Sequence, residues 1–206
     1  MFRRRLQTRL FISLLAALAA GCACPCAKPR SAGQPLPSLD SARDGAPSDV
    51  EGLPRFAQVD ARLYRGGQPT PEGYRRLADL GVKTVIDLRA EDESQRAADA
   101  QAAESLGIRW LSLPMRAYGR PTEAQLSAFL SAVDDPANQP VYVHCRQGKD
   151  RTGTLVAVYR VAEQHWEPAR AYQEARAFGL TPWNPFLRYV ILHQASKEHP
   201  QLANLP

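Results

Sequence analysis

The stretch with the clearest chemical potential is VYVHCRQGKDRTGTLVAVYR, which covers residues 141–160. An apolar run ends at His144 and Cys145, six residues that are polar or glycine follow, and a second apolar run begins after Arg151. A cysteine at such a junction is a small buried hydrophobe, half of a disulfide, or a nucleophile. The first interpretation fits poorly, because the residues that follow the cysteine are not core residues.

The residues between Cys145 and Arg151 form a loop that runs directly into a predicted helix. Such a loop can point successive backbone N–H groups inward, and the helix N-terminus adds partial positive charge. The same groups would stabilise a thiolate, which is the nucleophilic form of cysteine. Gly148 and Gly153 let the backbone approach closely, and the Arg151 guanidinium offers a planar fork for two phosphate oxygens. A thiolate in an anion cradle attacks phosphorus, so the stretch predicts phosphoryl transfer.

The other cysteines do not suggest a partner for Cys145. Cys22, Cys24 and Cys26 lie within five residues of one another, and Cys145 stands alone. Four cysteines with this spacing fit neither a disulfide framework nor a zinc site.

The spacing Cys-x5-Arg-Thr-Gly, preceded by His, resembles the signature of the cysteine-dependent protein tyrosine phosphatases. The segments HCRQGKDRTG, LYRGGQPT and GVKTVIDLR together resemble the bacterial periplasmic dual-specificity phosphatases and related atypical members, over most of residues 59–180. The resemblance implies that Cys145 is the nucleophile that forms a cysteinyl-phosphate and that Arg151 clamps the phosphate oxygens. It implies no metal and no organic cofactor.

The resemblance also implies roles for the rest of the loop. His144 matches the residue that orders the loop from behind, and Thr152 matches the hydroxyl that steadies the leaving thiolate. Lys149 and Asp150 match a subset of bacterial and lipid-directed members that carry Lys-Asp before the arginine. The phosphate-binding loop then comprises Arg146, Gln147, Gly148, Lys149 and Thr152.

The general acid of the family is missing from its usual place. Family members usually carry an aspartate on a mobile loop after the third strand, whereas LPMRAYGRPTEAQ has Tyr118 where that aspartate aligns. Asp150 is our candidate for the acid, because it lies within reach of the leaving oxygen. Alternatively, Asp150 only hydrogen-bonds loop amides or balances Lys149, and the proton comes from Asp92, Glu93 or water.

These residues predict a phosphatase that acts on phosphate monoesters, with phosphotyrosine as the substrate. The alternative substrate is a phosphoinositide or inositol polyphosphate, whose extra charge would suit Arg116, Arg120, Arg146 and Lys149. A rhodanese-like sulfurtransferase also places a cysteine on a strand-to-helix loop, although that loop is typically one residue shorter. A catalytically inactive phosphate-binding module would usually have lost the cysteine or the arginine.

Predicted strands and helices alternate along the chain. The strands are ARLYRGGQ, VKTVIDLR, IRWLSLP and PVYVHC. The helices are TPEGYRRLADLG, SQRAADAQAAESLG, PTEAQLSAFLSAVDD, RTGTLVAVYRVAEQH, EPARAYQEARAFG and NPFLRYVILHQASKE. This alternation predicts an α/β fold with a central, mostly parallel four- to five-stranded sheet flanked by helices. Ligands bind beyond the carboxyl ends of the strands in such folds, and Cys145 lies at one of those ends.

Local signals predict how two of the helices start. Ser94 is expected to cap the second helix, and Thr122 with Gln125 forms a capping box for the third. The acidic run at residues 91–93 is expected to complement the dipole of the second helix.

The first 21 residues read as a lipoprotein-type signal peptide. An Arg-rich start is followed by about eleven apolar residues, too few for a span of about 20. The small residues before Gly21 and Cys22 resemble a bacterial lipobox, which implies lipidation of Cys22. A cleaved, soluble periplasmic protein and an uncleaved anchor are the alternatives. All three place the protein outside the cytoplasm, and we expect a periplasmic protein that is lipid-anchored in a Gram-negative bacterium.

Residues 22–54 are rich in Pro, Ala and Ser without apolar periodicity, so we expect a disordered tether before a catalytic domain at residues 55–206. The formal charge of +5 includes four arginines in the predicted signal peptide, and without them about +1 is left. This charge argues against a nucleic-acid partner. We expect a monomer that meets the membrane only through its lipid and whose partners are phosphotyrosine proteins or phosphorylated small molecules.

Overall fold

The computed structural model describes residues 47–183, 185 and 188–192. The strands are β1 (Ser48–Val50), β2 (Leu53–Gln58), β3 (Leu63–Gly67), β4 (Thr84–Arg89), β5 (Arg109–Met115) and β6 (Val141–Cys145). The helices are α1 (Pro71–Asp79), α2 (Glu93–Ser105), α3 (Glu123–Asp134), α4 (Asp150–Ala162) and α5 (Pro168–Ala177). Residues 188–192 are helical as well, within the last predicted helix.

The strands form one sheet in the order β1-β2-β3-β6-β4-β5. Strands β3, β6, β4 and β5 run parallel to one another, whereas β2 joins β3 and β1 joins β2 in antiparallel pairs. The predicted α/β class with a mostly parallel sheet is therefore confirmed. Strand β6 lies between β3 and β4, so the residue at its carboxyl end has parallel strand ends on both sides.

Both faces of the sheet are covered by helices, which explains why its central strands β3, β4 and β6 are buried along their whole length. On one face, sheet residues such as Val141 and Val143 share a core with Phe129 of α3 and Val156 of α4. The opposite face packs against α1 and α2, with Tyr74 and Leu77 fully buried. A smaller cluster joins α4 to α5.

The folded region begins earlier than the sequence predicted. Residues 48–54, which we assigned to the tether, contribute β1 and the start of β2, and Leu53 is fully buried. Ser48 Oγ donates to the carbonyl oxygen of Phe56 at 2.9 Å, which fastens β1 to its neighbour. The short strands lack a sequence signal because proline and glycine surround them. Residues 1–46, including the predicted signal peptide and Cys22, lie outside the described residues.

The helix starts follow the predicted chemistry with one exception. Thr122 and Gln125 form the expected capping box of α3. Helix α2 is capped by Asp92, whose Oδ1 accepts the backbone amide of Gln95, and the predicted cap at Ser94 was wrong. The Ser94 hydroxyl instead donates to Asp92 Oδ1 at 3.3 Å, so Ser94 lies in the first turn of the helix that Asp92 caps. None of the helices in the described ranges combines the length and apolar character needed to cross a membrane.

Candidate active site

Cys145 is the last residue of β6 and is 3% exposed. The register of the parallel strands sets it beside Gly67 at the end of β3, with β4 on the other side. The chain turns through residues 146–149 and enters α4 at Asp150. Cys145 is a free thiol. It therefore lies where the sequence analysis placed it, at the carboxyl edge of the sheet and at the entrance to a helix.

Glycine at position 148 is required by both conformation and space. Gly148 has φ 70°, a conformation that side chains rarely adopt. A Cβ there would lie 2.6 Å from backbone atoms of Gly66 and Gly67, which cannot move aside like a flexible side chain. Gly153 was also expected to permit a close approach, but a Cβ there would meet only ordinary contacts at 3.6 Å or more. That expectation was wrong, because Gly153 lies within α4 and not in the turn.

The first turn of α4 presents backbone donors toward this loop. Lys149 is its N-cap residue, and its side chain makes no capping hydrogen bond to the amides of the first turn. The orphan N–H groups of a helix N-terminus bind anions and carry partial positive charge. Thr152 Oγ1 donates to the carbonyl oxygen of Gly66 at 3.5 Å, which packs the helix start against β3.

Arg151 is 8% exposed and is held by groups from three parts of the chain. Its Nη1 and Nη2 donate to the two carboxylate oxygens of Glu91 at 2.8 and 2.7 Å. Nη1 also approaches the carbonyl oxygens of Leu88 at 3.4 Å and Met115 at 3.3 Å. The ends of β4 and β5 thus fix the orientation of the guanidinium.

Glu91 is a site residue that the sequence analysis missed. The acidic run was expected to begin the helix, and the structure gives that role to Asp92 and Glu93. Hydrogen bonds from Arg151 hold the pKa of Glu91 down at about 2, against a smaller desolvation effect. The carboxylate is therefore ionised at neutral pH. The sequence feature that could have identified Glu91 as a site residue was its position just beyond the carboxyl end of a predicted strand.

His144 lies behind the loop and is fully buried. Its Nδ1 faces the carbonyl oxygen of Cys145 at 3.4 Å, and its ring lies 5.9 Å from Tyr142 and 5.8 Å from Trp110, centroid to centroid. Burial lowers the pKa of His144 to about 4, even though Asp87 Oδ1 lies 3.9 Å from Nε2. The imidazole is thus neutral at pH 7, and its position suits the expected loop-ordering role.

A buried network of polar side chains connects the loop to the sheet. Arg89 donates to Asp87 at 2.8 Å and to Asp99 at 2.8 Å. Gln68 donates through its side chain to Asp99 at 3.1 Å and through its backbone amide to the carbonyl oxygen of Arg146 at 3.3 Å. Burying charges is costly unless they are paired and hydrogen-bonded, as they are here. The network gives one side of the loop a rigid support.

A cavity of about 230 Å³ opens above Cys145, and we call it the phosphate pocket. It is lined by Glu91, Ala117, Tyr118, Cys145, Arg146, Gln147, Lys149, Asp150 and Arg151. Most of the predicted loop residues therefore meet around one space, while Gly148, Thr152 and His144 lie buried beneath it. Tyr118 lies in the lining, at the position where the resemblance aligns the family's aspartate, and Ala117, which was not predicted, lines the pocket beside it.

Asp150 lies at the rim of this pocket. Its Oδ1 accepts the backbone amide of Thr181 at 2.7 Å, which ties the start of α4 to the segment after α5. Asp92, an alternative proton donor, is instead engaged as the cap of α2, and neither it nor Glu93 lines the pocket. Two carboxylates, Glu91 and Asp150, therefore border the space in which a leaving group would depart.

The site offers nucleophilic chemistry on an anion. A thiol, an oriented guanidinium and the N-terminus of a helix converge on one pocket, which suits attack on a phosphorus atom whose oxygens are held by N–H donors. Across the described ranges, no group of three or more His, Cys, Asp or Glu side chains is arranged to hold a metal ion.

A sequence profile of one protein family covers most of the folded region. The family described as DSP-PTPase phosphatase fused to NAD+ kinase matches residues 48–182. The chain is 31% identical over 144 residues to the probable NAD kinase 2, chloroplastic, of Oryza sativa, which is 64% of this chain but only 14% of that protein. It is also 31% identical over 127 residues to the putative tyrosine-protein phosphatase OCA1 of Mycosarcoma maydis, 61% of this chain and 80% of that protein. The chain thus spans a small part of the first relative and most of the second.

Solved phosphatase structures have the same fold. The core catalytic domain of the PP-IP phosphatase SIW14 from S. cerevisiae, in complex with citrate, has a TM-score of 0.64 and 26% identity over 75% of this chain and 94% of that one. The dual specificity protein phosphatase TpbA of P. aeruginosa has a TM-score of 0.62 and 26% identity over 77% and 96%. A TpbA variant in complex with pTyr has a TM-score of 0.59 and 26% identity over 73% and 91%.

Proposed function

Because this chain belongs to the atypical cysteine-dependent dual-specificity phosphatases, a family of phosphoric monoester hydrolases, we propose that it hydrolyses phosphotyrosine in proteins through a cysteinyl-phosphate on Cys145. The observation that carries the proposal is the phosphate pocket, in which Cys145 and Arg151 meet in front of the first turn of α4. No metal takes part in the proposed chemistry.

The reaction proceeds in two displacements. The Cys145 thiolate attacks phosphorus, a sulfur–phosphorus bond forms, and the bond between phosphorus and the ester oxygen breaks. Arg151 and the backbone amides of the loop hold the phosphoryl oxygens, and Asp150 gives the departing oxygen its proton. Water then attacks phosphorus, loses a proton to Asp150, and releases inorganic phosphate while the thiolate re-forms.

The proposed substrate is phosphotyrosine for two reasons. The pocket is open toward Tyr118, whose exposed ring offers an apolar surface to an aryl group leaving the phosphate. One structural relative, TpbA, has been solved in complex with pTyr. The second candidate is an inositol polyphosphate, favoured by Arg146 and Lys149 in the pocket lining and by the likeness to the PP-IP phosphatase SIW14.

The direct test is hydrolysis of four matched substrates by the chain without residues 1–21, in buffer with a metal chelator. The substrates are a phosphotyrosine peptide, a phosphoserine peptide, a phosphoinositide and an inositol polyphosphate. We expect the highest kcat/KM for the phosphotyrosine peptide, inhibition by vanadate, and no turnover by Cys145→Ser. Full activity in Cys145→Ser would refute the mechanism, and preference for the inositol polyphosphate would refute the substrate.

We also propose that the enzyme works in the periplasm, anchored by a lipid on Cys22. The support is the sequence alone: an Arg-rich start, a short apolar run and small residues before the cysteine. Expression of the full chain in a Gram-negative host should yield a membrane fraction that incorporates labelled fatty acid. Cys22→Ala should abolish the labelling. Labelling that persists in Cys22→Ala would rule out this anchor.

A further inference from the structure

A second cavity, of about 390 Å³, adjoins the phosphate pocket, and we call it the aromatic subsite. Its lining includes Tyr118, Gly119, Asp150, Thr181, Trp183 and Pro185. Tyr118 and Asp150 line both cavities, so the two spaces are neighbours across these side chains. None of the chemistry assigned to the phosphate pocket uses this larger space.

Two aromatic side chains of the aromatic subsite are unusually exposed. Tyr118 is 88% exposed and Trp183 is 87% exposed. Each is a large apolar surface that a ligand would remove from water, and side chains of these two types dominate the affinity of many interfaces. They come from different parts of the fold, the loop after β5 and the segment after α5, and both face the same cavity.

The charge of the aromatic subsite differs from that of the phosphate pocket. Arg146, Lys149 and Arg151 line the phosphate pocket together with Glu91 and Asp150, whereas Asp150 is the one charged side chain among the described residues that line the subsite. The carboxylate is held in place by its hydrogen bond from the amide of Thr181. A second phosphate group would therefore meet two aromatic surfaces and no lysine or arginine among the described lining residues, whereas an apolar group would meet complementary surface.

The aromatic subsite has room for a group beyond the phosphorylated side chain. The ring of phosphotyrosine is attached directly through the ester oxygen, so it lies at the mouth of the phosphate pocket above Cys145. The neighbouring space, of about 390 Å³, is larger than that pocket, of about 230 Å³, and can hold a second group. In a peptide, the nearest such occupant is the side chain of the residue next to the phosphotyrosine.

We propose that the aromatic subsite binds a bulky apolar side chain flanking the phosphotyrosine, so that the enzyme selects phosphotyrosine sites by their neighbour. This inference rests on the proposed phosphotyrosine activity and adds to it a sequence preference. Trp183 supplies the apolar contact to this side chain, next to the Tyr118 ring that faces the phosphotyrosine.

The test compares phosphotyrosine peptides that differ at one position. Phe or Ser is placed immediately before or immediately after the phosphotyrosine, and kcat/KM is measured for each pair. For at least one position, we expect the Phe peptide to be favoured about tenfold, the size of effect that a buried aromatic contact produces. Trp183→Ala should abolish the preference, and Trp183→Phe should keep most of it.

Two controls separate the possible outcomes. Leu106 is an exposed apolar residue just before the amino end of β5, whereas the site lies beyond the carboxyl ends of the parallel strands. Leu106→Ala should therefore leave the preference intact. Nitrophenyl phosphate has no flanking residue, so its turnover reports phosphatase activity alone. Equal rates for Phe and Ser peptides, or a preference that survives Trp183→Ala, would overturn the subsite while the phosphatase stands. Failure to hydrolyse any aryl phosphate would overturn the proposed function first.

Discussion

Two carboxylates border the phosphate pocket, and their surroundings give them different roles. Glu91 is bound by both terminal nitrogens of Arg151, and its pKa is held at about 2, so it stays ionised throughout the working pH range. An ionised carboxylate has no proton to give. Asp150 accepts a backbone amide at its Oδ1 and lies at the rim where a leaving group departs. The bidentate pairing makes Glu91 an orienting residue, and Asp150 remains our candidate for the acid because of its place at the pocket.

Glu91→Gln tests the orienting role. The amide keeps one acceptor oxygen but cannot form the charged two-oxygen pair with Arg151, so the guanidinium is held less firmly. We expect kcat/KM to fall by about tenfold for nitrophenyl phosphate and for a phosphotyrosine peptide alike, the scale of losing a charge-assisted hydrogen bond. The depressed pKa means that the Glu91–Arg151 pair breaks only as pH falls toward 2. The shape of the pH–rate profile between pH 5 and 8 should therefore be unchanged, and loss of either limb in Glu91→Gln would contradict this role.

Asp150→Asn tests the proton donor. General acid catalysis contributes about 10²–10⁴-fold when the leaving group is poor and much less when it departs as a stable anion. We therefore expect a loss of that order on a phosphotyrosine peptide, a small loss on nitrophenyl phosphate, and disappearance of the basic limb of the pH–rate profile. Equal losses on both substrates with the basic limb intact would assign Asp150 to loop structure, through its bond to Thr181.

At the scale of elements, the site depends on the parallel ends of β3 and β6. Gly66 and Gly67 of β3 pair in register with His144 and Cys145, and the turn at Gly148 packs directly on the two glycines. Tyr142 reinforces the arrangement by donating its hydroxyl to the carbonyl oxygen of Gly67 at 2.7 Å. The conformation of the loop that follows the nucleophile therefore depends on its packing against β3.

Gly148→Ala should disrupt the packing of this turn on β3. The added methyl group requires a positive φ and collides with backbone atoms of β3, so we expect a loss of stability of about 1–3 kcal/mol together with a fall in activity. Gly153→Ala is the matched control, since it adds the same group inside α4 without a collision and should be neutral or stabilising by up to about 1 kcal/mol. Thermal unfolding measures both effects. A Gly148→Ala protein as stable as Gly153→Ala would show that the turn does not need glycine.

Elements with a strong periodic pattern were predictable, and those defined by tertiary contacts were not. The four parallel strands and the capping box of α3 followed from apolar runs and cap residues. Strands β1 and β2 were missed because the pairing of Ser48 with Phe56 has no local signature in a Pro-rich segment. Glu91 was missed for a related reason, since its partner Arg151 is sixty residues away in sequence.

At the scale of the whole molecule, the buried imidazole makes stability depend on pH. In the unfolded chain, His144 takes up a proton near pH 6.5, the ordinary value for histidine. In the folded protein, burial lowers its pKa to about 4, so the ring stays neutral through that range. Between these values the unfolded state binds more protons, and the free energy of unfolding must fall as the pH falls.

We therefore expect the denaturation midpoint to drop steadily between pH 6.5 and 5, a window in which Asp87 and Glu91, with their depressed pKa values, do not yet titrate. His144→Gln removes the titrating group, so the variant should be less stable at pH 7.5 but less sensitive to pH across this window. Denaturant unfolding at several pH values supplies the measurement. An equally steep dependence in His144→Gln would place the titrating group elsewhere.

The central claim is that phosphate is transferred to Cys145 before it reaches water. Acid quenching of the enzyme during turnover of a phosphotyrosine peptide, followed by mass spectrometry of the peptide that contains residues 141–151, tests it directly. The account predicts that one phosphoryl group is attached to Cys145 in the wild type and that none is attached in Cys145→Ala. Release of inorganic phosphate without a phosphorylated Cys145, or attachment of the phosphoryl group to another residue, would contradict it.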